Sequence, residues 1–121
     1  MAEITIDLPY PVSVNRIWRG SGKHVYKSKE YVAWIAEANV RWMMQRTKLM
    51  VRSINGEYTL HLIINPPDKR RRDLGNVEKV VSDFAQSAGI IDDDCLCRRI
   101  LIEYGDADSA PLGARAIFTH H

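Results

Sequence analysis

The feature that most constrains the fold is a change of hydrophobic period on either side of two adjacent prolines, Pro66 and Pro67. Before them, every second residue is apolar in the run Tyr58, Leu60, Leu62, Ile64. That spacing is typical of a strand with one buried face, and the prolines cannot continue its ladder. After them, apolar residues recur at intervals of three and four, at Leu74, Val77, Val80, Val81, Phe84, Ala85 and Ala88. The second spacing predicts a helix that begins at Asp73 and ends at Gly89.

The same reasoning predicts the remaining elements and the fold class. The elements are a strand over residues 4–8, an ordered loop over 11–21, a short strand over 24–27, a helix over 29–50, and strands over 96–104 and 114–119. Ser28 is a suitable N-cap for the long helix. We therefore expect an α+β fold in which a small mixed β-sheet of about four to five strands packs against two helices.

Composition and length restrict the class of protein. The chain has 121 residues, of which 45% are hydrophobic and 26% are charged, as in ordinary globular domains. We expect a single domain over residues 1–119, and the terminal His120 and His121 receive no role. No apolar run is long enough to cross a bilayer, and the N-terminus lacks a signal pattern, so we predict a cytoplasmic protein without a membrane partner.

The two cysteines and the wide apolar stripe of the long helix each allow a prediction about the core. Cys95 and Cys97 lack a second Cys or His pair at zinc spacing, so we predict buried free thiols on one face of a strand. The long helix carries more apolar residues than one sheet face requires, namely Trp34, Met43, Met44 and Met50. This surplus predicts either a subunit interface or a thick core.

The residues with the clearest chemistry surround the start of the second helix. Four cations, Lys69, Arg70, Arg71 and Arg72, lead into Asp73, and Lys79 follows six positions after Asp73. A protein that acts on a phosphodiester needs cations to hold the backbone and a carboxylate-bound divalent ion to offset charge on the reacting phosphate. The alternative is that Asp73 is only an N-cap and that the arginines form a solvated loop.

Two other polar segments also have a functional and a structural interpretation. The predicted loop contains Ser13, Asn15, Arg16 and Trp18, which either grip a sugar-phosphate chain or close over the core. Asp92, Asp93 and Asp94 repel one another unless cations neutralise them. The triplet therefore predicts either a solvated turn or a divalent-ion site.

Taken in order, three groups of residues carry a resemblance to a known family. They are Pro9-Tyr10-Pro11 with Ser13 and Asn15, then Arg70-Arg71-Arg72-Asp73-Leu74 with Asn76 and Lys79, then Gly89-Ile90-Ile91-Asp92-Asp93-Asp94. This arrangement resembles the RusA family of Holliday junction resolvases, which are small endonucleases encoded largely by phages and prophages. The resemblance covers nearly the whole chain.

The resemblance implies a homodimer that binds four-way junction DNA and uses Mg²⁺ to make paired symmetric nicks in it during recombination and repair. It assigns Asp73, Asp94 and Lys79 to catalysis, and Asp73, Asp94 and Asp93 to the metal. We expect the DNA backbone to be positioned by polar and cationic residues, namely Lys69, Arg70, Arg71, Arg72, Asn15 and Arg16.

One position departs from the family motif. The family has two aspartates separated by one residue at the head of the helix, and the second of them is Gly75 in this chain. The loss of one carboxylate of about three should weaken metal binding and catalysis. We expect either partial compensation by Asp92, Asp93 or the Asn76 amide, or a protein that binds junctions without cleaving them.

Overall fold

The computed structural model describes residues 2–70, 72–106 and 112–121. Its strands and helices are β1 (Glu3–Leu8), β2 (Trp18–Ser21), β3 (His24–Lys27), α1 (Lys29–Arg46), β4 (Tyr58–Asn65), α2 (Glu78–Ser87), β5 (Cys97–Tyr104) and β6 (Gly113–His120). Short 3-10 turns lie at Val14–Arg16, Leu74–Asn76 and Asp94–Leu96. The predicted α+β fold with two helices is confirmed for this part of the chain.

Four of the strands form one mixed sheet in the order β1-β6-β4-β5. β6 pairs antiparallel with β1 and with β4, whereas β4 and β5 are parallel. A parallel pair needs a long crossover, and the chain between Asn65 and Cys97, which includes α2, supplies it. The remaining strands, β2 and β3, pair with each other as a separate two-stranded sheet.

The core lies between the helices and one face of the four-stranded sheet. The inward-facing residues of β4 are at most 1% exposed: Tyr58, Leu60, Leu62 and Ile64. Trp34 of α1 meets Phe84 of α2 edge to face, with ring centroids 5.7 Å apart. The Trp34 indole N–H also donates to the Pro9 carbonyl at 3.0 Å. This contact anchors α1 to the start of the loop that follows β1.

Three element boundaries differ from the sequence predictions. α1 ends at Arg46, not at residue 50, and the Thr47 hydroxyl donates to the Met44 carbonyl where the helix stops. The predicted loop over 11–21 contains β2. All residues of β2 are exposed, so its sequence has no apolar alternation that would predict a strand. The helix expected from Asp73 begins as a 3-10 turn and becomes α-helical only at Glu78. Gly75 lies in that turn, where its low helix propensity disfavours an earlier start.

The cysteine and methionine predictions are resolved in part. Cys95 and Cys97 are free, as predicted, but neither is buried. Cys95 is exposed because it lies in the turn before β5, and Cys97, the first residue of β5, is only partly buried, so the predicted burial is wrong for both. Met43, Met44 and Met50 are exposed, and core burial is therefore wrong for them, whereas Trp34 is buried. A subunit interface on α1 stays a hypothesis. Of the helices that the structure describes, none is long and apolar enough to cross a membrane.

We predict that Gly113→Ala lowers the free energy of unfolding by at least about 2 kcal/mol, because strain at a positive φ adds to a backbone clash. Gly113 has φ 117°, and a Cβ atom there would collide with the Leu8 carbonyl oxygen. The matched control is Gly75→Ala, since no atom lies within 4 Å of a Cβ at that position. Urea denaturation measures both variants, and an equal effect would contradict this account of the β1–β6 pairing.

Candidate active site

A pocket of about 700 Å³ lies where the loop after β1 meets the segment before α2. The loop contributes Ser13, Asn15 and Arg16 to its wall, and the segment contributes Arg70, Arg72, Asp73 and Asn76. These residues were predicted as two separate functional groups. The structure brings them together around one space, with Glu30 of α1 completing the wall.

Arg72 holds the basic segment in shape. Its guanidinium donates to the Asp68 carboxylate at 2.6 Å and to the carbonyls of Asp68 and Arg70, both at 3.1 Å. The same group lies 5.2 Å from the centre of the Tyr10 ring, a cation–π distance. The Tyr104 hydroxyl donates to the Arg72 carbonyl at 3.3 Å. Because its side chain is only 17% exposed, Arg72 serves as an internal brace for the segment.

Asp68 is the counter-charge within the basic segment. Its carboxylate accepts the Arg70 backbone N–H at 2.9 Å and the Arg70 guanidinium at 3.1 Å. Hydrogen bonds from Arg70 and then from Arg72 hold the pKa of Asp68 well below its usual range. A lowered carboxyl pKa means that these ion pairs persist at neutral pH and are lost only in strong acid. The Asp68 ion pairs with Arg70 and Arg72 therefore form without DNA.

The other basic residues differ in how freely they can reach a ligand. The Arg70 side chain is 78% exposed and lines the pocket, so its charge can meet a phosphate. Arg16 is also exposed and lines the same pocket. Lys69 is exposed next to the pocket rather than in its wall. Arg71 lies outside the described residues.

Asp73 presents an exposed carboxylate to the pocket. Its backbone is extended and its carbonyl accepts the Asn76 N–H at 3.1 Å, but its carboxylate makes no capping hydrogen bond. The predicted helix N-cap is therefore wrong, because α2 starts only at Glu78. The consequence is a carboxylate that is not committed to a local backbone bond.

Lys79 does not share this pocket. It lies at the start of α2, where its ammonium contacts the Asp83 carboxylate at 3.0 Å and lines a second, smaller depression. Asp83 raises the pKa of Lys79, and Asp94 acts more weakly in the same direction. Lys79 is therefore a charged group on the first turn of α2, and it does not line the pocket wall that contains Asp73.

Two of the three aspartates in the acidic turn make local hydrogen bonds. The Asp92 carboxylate accepts the Gly56 N–H at 2.9 Å, and the Asp93 carboxylate accepts the Cys95 N–H at 2.9 Å. The second bond lowers the pKa of Asp93. Asp94 opens the turn that follows, and its backbone N–H donates to the Gln86 side chain at 3.0 Å. Asp94 is thus the member of the triplet that acts on Lys79.

The acidic residues do not fit a preassembled site of three carboxylates. Among residues 2–70, 72–106 and 112–121, no three His, Cys, Asp or Glu side chains come together to hold a metal ion. The resemblance implies a second aspartate at the position of Gly75, and there is open space around this glycine. Asp73 lines the pocket, whereas Asp92, Asp93 and Asp94 are not among its lining residues, so the two acidic segments do not share this wall.

Sequence reasoning missed the residues that organise the site. Tyr10, Asp68 and Tyr104 support Arg72 from three parts of the chain. In the sequence, Tyr10 belongs to the Pro9-Tyr10-Pro11 motif, which does not indicate a contact with Arg72. The proximity of Asp68 to two arginines was a usable signal, since an acid two or four residues before an arginine can pair with it in a turn. Nothing in the sequence pointed to Tyr104.

We predict that Arg72→Ala lowers the free energy of unfolding by about 1–2 kcal/mol, because it removes several charge-assisted hydrogen bonds and a cation–π contact. Arg70→Ala is the matched control and should change it by less than about 0.5 kcal/mol, as expected for an exposed ion pair. Chemical denaturation measures both. If the two variants are equally stable, Arg72 does not brace the segment.

Comparisons with known proteins agree with the resemblance. The family model described as Endodeoxyribonuclease RusA matches residues 9–112. The chain is 33% identical over 94 residues to the crossover junction endodeoxyribonuclease rusA of Enterobacteria phage HK97, across 78% of this chain and 76% of the phage protein. It is 33% identical over 89 residues to the crossover junction endodeoxyribonuclease RusA of Aquifex aeolicus (strain VF5), across 74% and 68% of the two chains. The chain belongs to the RusA family of endodeoxyribonucleases.

Proposed function

We propose that this protein is a Holliday junction resolvase that makes paired symmetric nicks in four-way DNA junctions during recombination and repair. The observation that carries the proposal is the pocket in which the Asp73 carboxylate lies among Arg16, Arg70 and Asn15. Family membership and the printed names of the phage and Aquifex relatives support the same reaction. A DNA substrate also fits the cytoplasmic location expected from the sequence.

The cations of the pocket would bind the phosphate backbone. Arg70 and Arg16 offer exposed guanidinium groups, and Asn15 offers an amide in the same pocket lining. Lys69 and Arg71 extend the same positive segment in sequence. Contacts of this kind set the position of a duplex without reading its bases. We therefore propose that junction shape, rather than a long base sequence, determines where the protein binds.

We propose Mg²⁺ as the cofactor, with Asp73 and Asp94 as its protein ligands and Asp93 beside them. When bound, the ion would activate water and offset the charge that develops on the scissile phosphate. Asp73 contributes an uncommitted carboxylate at the pocket wall. Lys79 contributes a positive charge, and Asp83 raises the pKa of its ammonium further. This charge would stabilise the leaving oxygen.

Paired nicks suggest two copies of the site. We propose a homodimer, because a two-fold symmetric protein matches two symmetric cuts in one junction. Each subunit would contribute one pocket of the kind described above.

A second candidate function is junction binding without cleavage. Gly75 favours it, since this position carries an aspartate in the family motif, and no cluster of three acidic ligands forms among the described residues. The two candidates are separated by incubating a labelled four-way junction with the protein and Mg²⁺. Nicked product supports the enzyme, and a stable complex without product supports the binding protein.

We predict that Gly75→Asp raises the Mg²⁺-dependent rate of junction cleavage by at least about tenfold, because it restores one oxygen ligand in open space. Asp73→Asn is the matched control, and it should abolish cleavage while leaving junction affinity largely intact. Single-turnover nicking of a labelled junction measures the rates. An unchanged or lower rate in Gly75→Asp counts against the assigned acidic residues.

We also predict that Arg70→Ala weakens junction binding and lowers the slope of log affinity against log salt by about 1, as expected for one lost phosphate contact. Arg46→Ala is the matched control, because Arg46 is exposed at the opposite end of α1 from Glu30, which lines the pocket. Fluorescence anisotropy at several salt concentrations gives both slopes. Equal slopes for the two variants would show that DNA does not use this pocket.

A further inference from the structure

We propose that the second depression, the one that Lys79 lines, binds an unpaired nucleobase of a DNA strand and stacks it on the Trp18 indole. The inference deepens the proposed function and rests on it, because the base would neighbour a phosphate held in the pocket that Asp73 lines. Three observations carry the inference: the exposure of Trp18, the charge of the hairpin that β2 and β3 form, and the position of the depression beside the Asp73 pocket.

The depression has the size and the lining of a small-ligand site. Its volume is about 360 Å³, within the range of about 300–1,000 Å³ that is usual for such sites. The hairpin contributes Trp18 and Lys27 to the lining, and α2 contributes Lys79 and Asp83. The apolar part of the lining includes Phe84, which is 5% exposed. A nucleotide matches this lining, because its base needs an aromatic or apolar surface and its phosphate needs a cation.

Trp18 offers a ring that the protein itself does not use. It is 52% exposed, whereas Trp34 and Trp42 are 5% and 4% exposed. In the part of the chain that the structure describes, Trp18 takes part in no ring pair and no cation–π contact. An exposed indole beside an apolar depression suits stacking with a base, since every base has a π-face.

The hairpin that carries Trp18 is basic. Residues 16–29 include five cations and no acidic residue. Arg19 pairs with Glu30 of α1 across 3.7 Å, and half of each side chain stays exposed. Aromatic side chains placed among cations are typical of surfaces that bind an unpaired nucleic acid strand.

The charges at the depression suit one phosphate group. Lys79 is already paired with Asp83, since their charged groups are 3.0 Å apart. Among the described residues, no carboxylate lies within ion-pairing distance of Lys27. The Lys27 ammonium instead lies 5.7 Å from the centre of the Tyr31 ring. Two ammonium groups and one carboxylate give the lining a net charge of +1, and Lys27 is the cation that remains available to a phosphate.

The hairpin turns one face toward the depression. Trp18 is directly opposite Lys27 in the β2–β3 pairing, and Arg19 is directly opposite Tyr26. Directly opposed side chains point to the same face, and neighbours along a strand point to opposite faces. Trp18 and Lys27 therefore share the face that lines the depression. Tyr26 lies on the other face, where it is 61% exposed.

The depression lies beside the Asp73 pocket. Arg16 lines that pocket, and Trp18, two residues later, lines the depression. In the same way Val77 lines the pocket and Lys79 lines the depression. Two residues of chain span at most about 7 Å. A strand whose phosphate contacts Arg16 therefore brings the base of a neighbouring nucleotide within reach of Trp18. Unpairing that base costs least where the duplex is already interrupted, as it is at a junction.

The test compares two oligonucleotides on the full chain in EDTA, so that no cleavage occurs. The probes are a short oligothymidylate and an abasic oligomer of the same length, which carry the same phosphates but differ in their bases. Fluorescence anisotropy of the labelled probes measures both affinities. We expect the protein to bind the oligothymidylate at least about fivefold more tightly, as expected for one stacked base.

Trp18→Ala removes the stacking ring and should abolish this preference. Its affinity for the abasic oligomer should stay within about twofold of the wild type, because the phosphate contacts are unchanged. Trp18→Phe keeps an aromatic ring and should retain part of the preference. The matched control is Tyr26→Ala, which removes an exposed ring from the other face of the hairpin and should keep the full preference. Circular dichroism checks that each variant is folded.

The proposal is overturned if the wild type binds the two probes equally or binds neither, and also if the preference survives in Trp18→Ala. A preference lost equally in Trp18→Ala and Tyr26→Ala would assign it to the hairpin as a whole and overturn the assignment to the depression. Binding and nicking of a four-way junction by the same wild-type preparation test the proposed function separately. A protein that acts on junctions but shows no preference between the probes would overturn the base site alone.

Discussion

The interaction on which the site depends is the set of contacts around the Arg72 guanidinium. A run of four cations would repel itself and remain without fixed structure if each side chain pointed to solvent. Arg72 instead turns inward to Asp68 and to the carbonyls of its own segment, with the Tyr10 ring beside it. These contacts fix Arg72 relative to Asp68 and Arg70 in the chain between β4 and α2. Asp73 is the next residue, so they also help to position it at the pocket wall.

This arrangement divides the basic run by role. Arg72 is mostly enclosed and acts within the protein, whereas Arg70 pairs with Asp68 but keeps most of its surface exposed. The Asp68 carboxylate thus reduces the electrostatic repulsion among these cations before a ligand binds. Preformed loops of this kind reduce the ordering entropy that binding would otherwise oppose. The same acid also lowers the net positive charge available to DNA, so the contribution of each arginine cannot be judged by counting charges.

Much of the fold followed from the sequence, because period-two and helix-period patterns persist wherever one face is buried. β1, β4 and α2 were predictable for that reason, as was the N-cap at Ser28, whose side chain accepts the Tyr31 N–H. β2 could not be predicted, because all of its residues are exposed and they show no apolar alternation. The delayed start of α2 could not be predicted, because Asp73 favours a helix start at this point whereas Gly75 disfavours helix. The pocket was predictable in its parts, but not in its assembly, since no local pattern reports that residues 13–16 and 70–76 meet.

Gly75 bears on both the fold and the chemistry of the candidate site. It lies in the 3-10 turn before α2, and it occupies the position where the resemblance implies a second aspartate. No atom lies within 4 Å of a Cβ atom at that position, so a larger side chain fits there. The most direct test of the whole account is a crystal structure of the Asp73→Asn variant bound to an uncut four-way junction. We expect a backbone phosphate in the pocket, within hydrogen-bond distance of Arg70 or Arg16, with the substituted amide facing it. A junction bound on another face, with the pocket empty of DNA, would contradict the account.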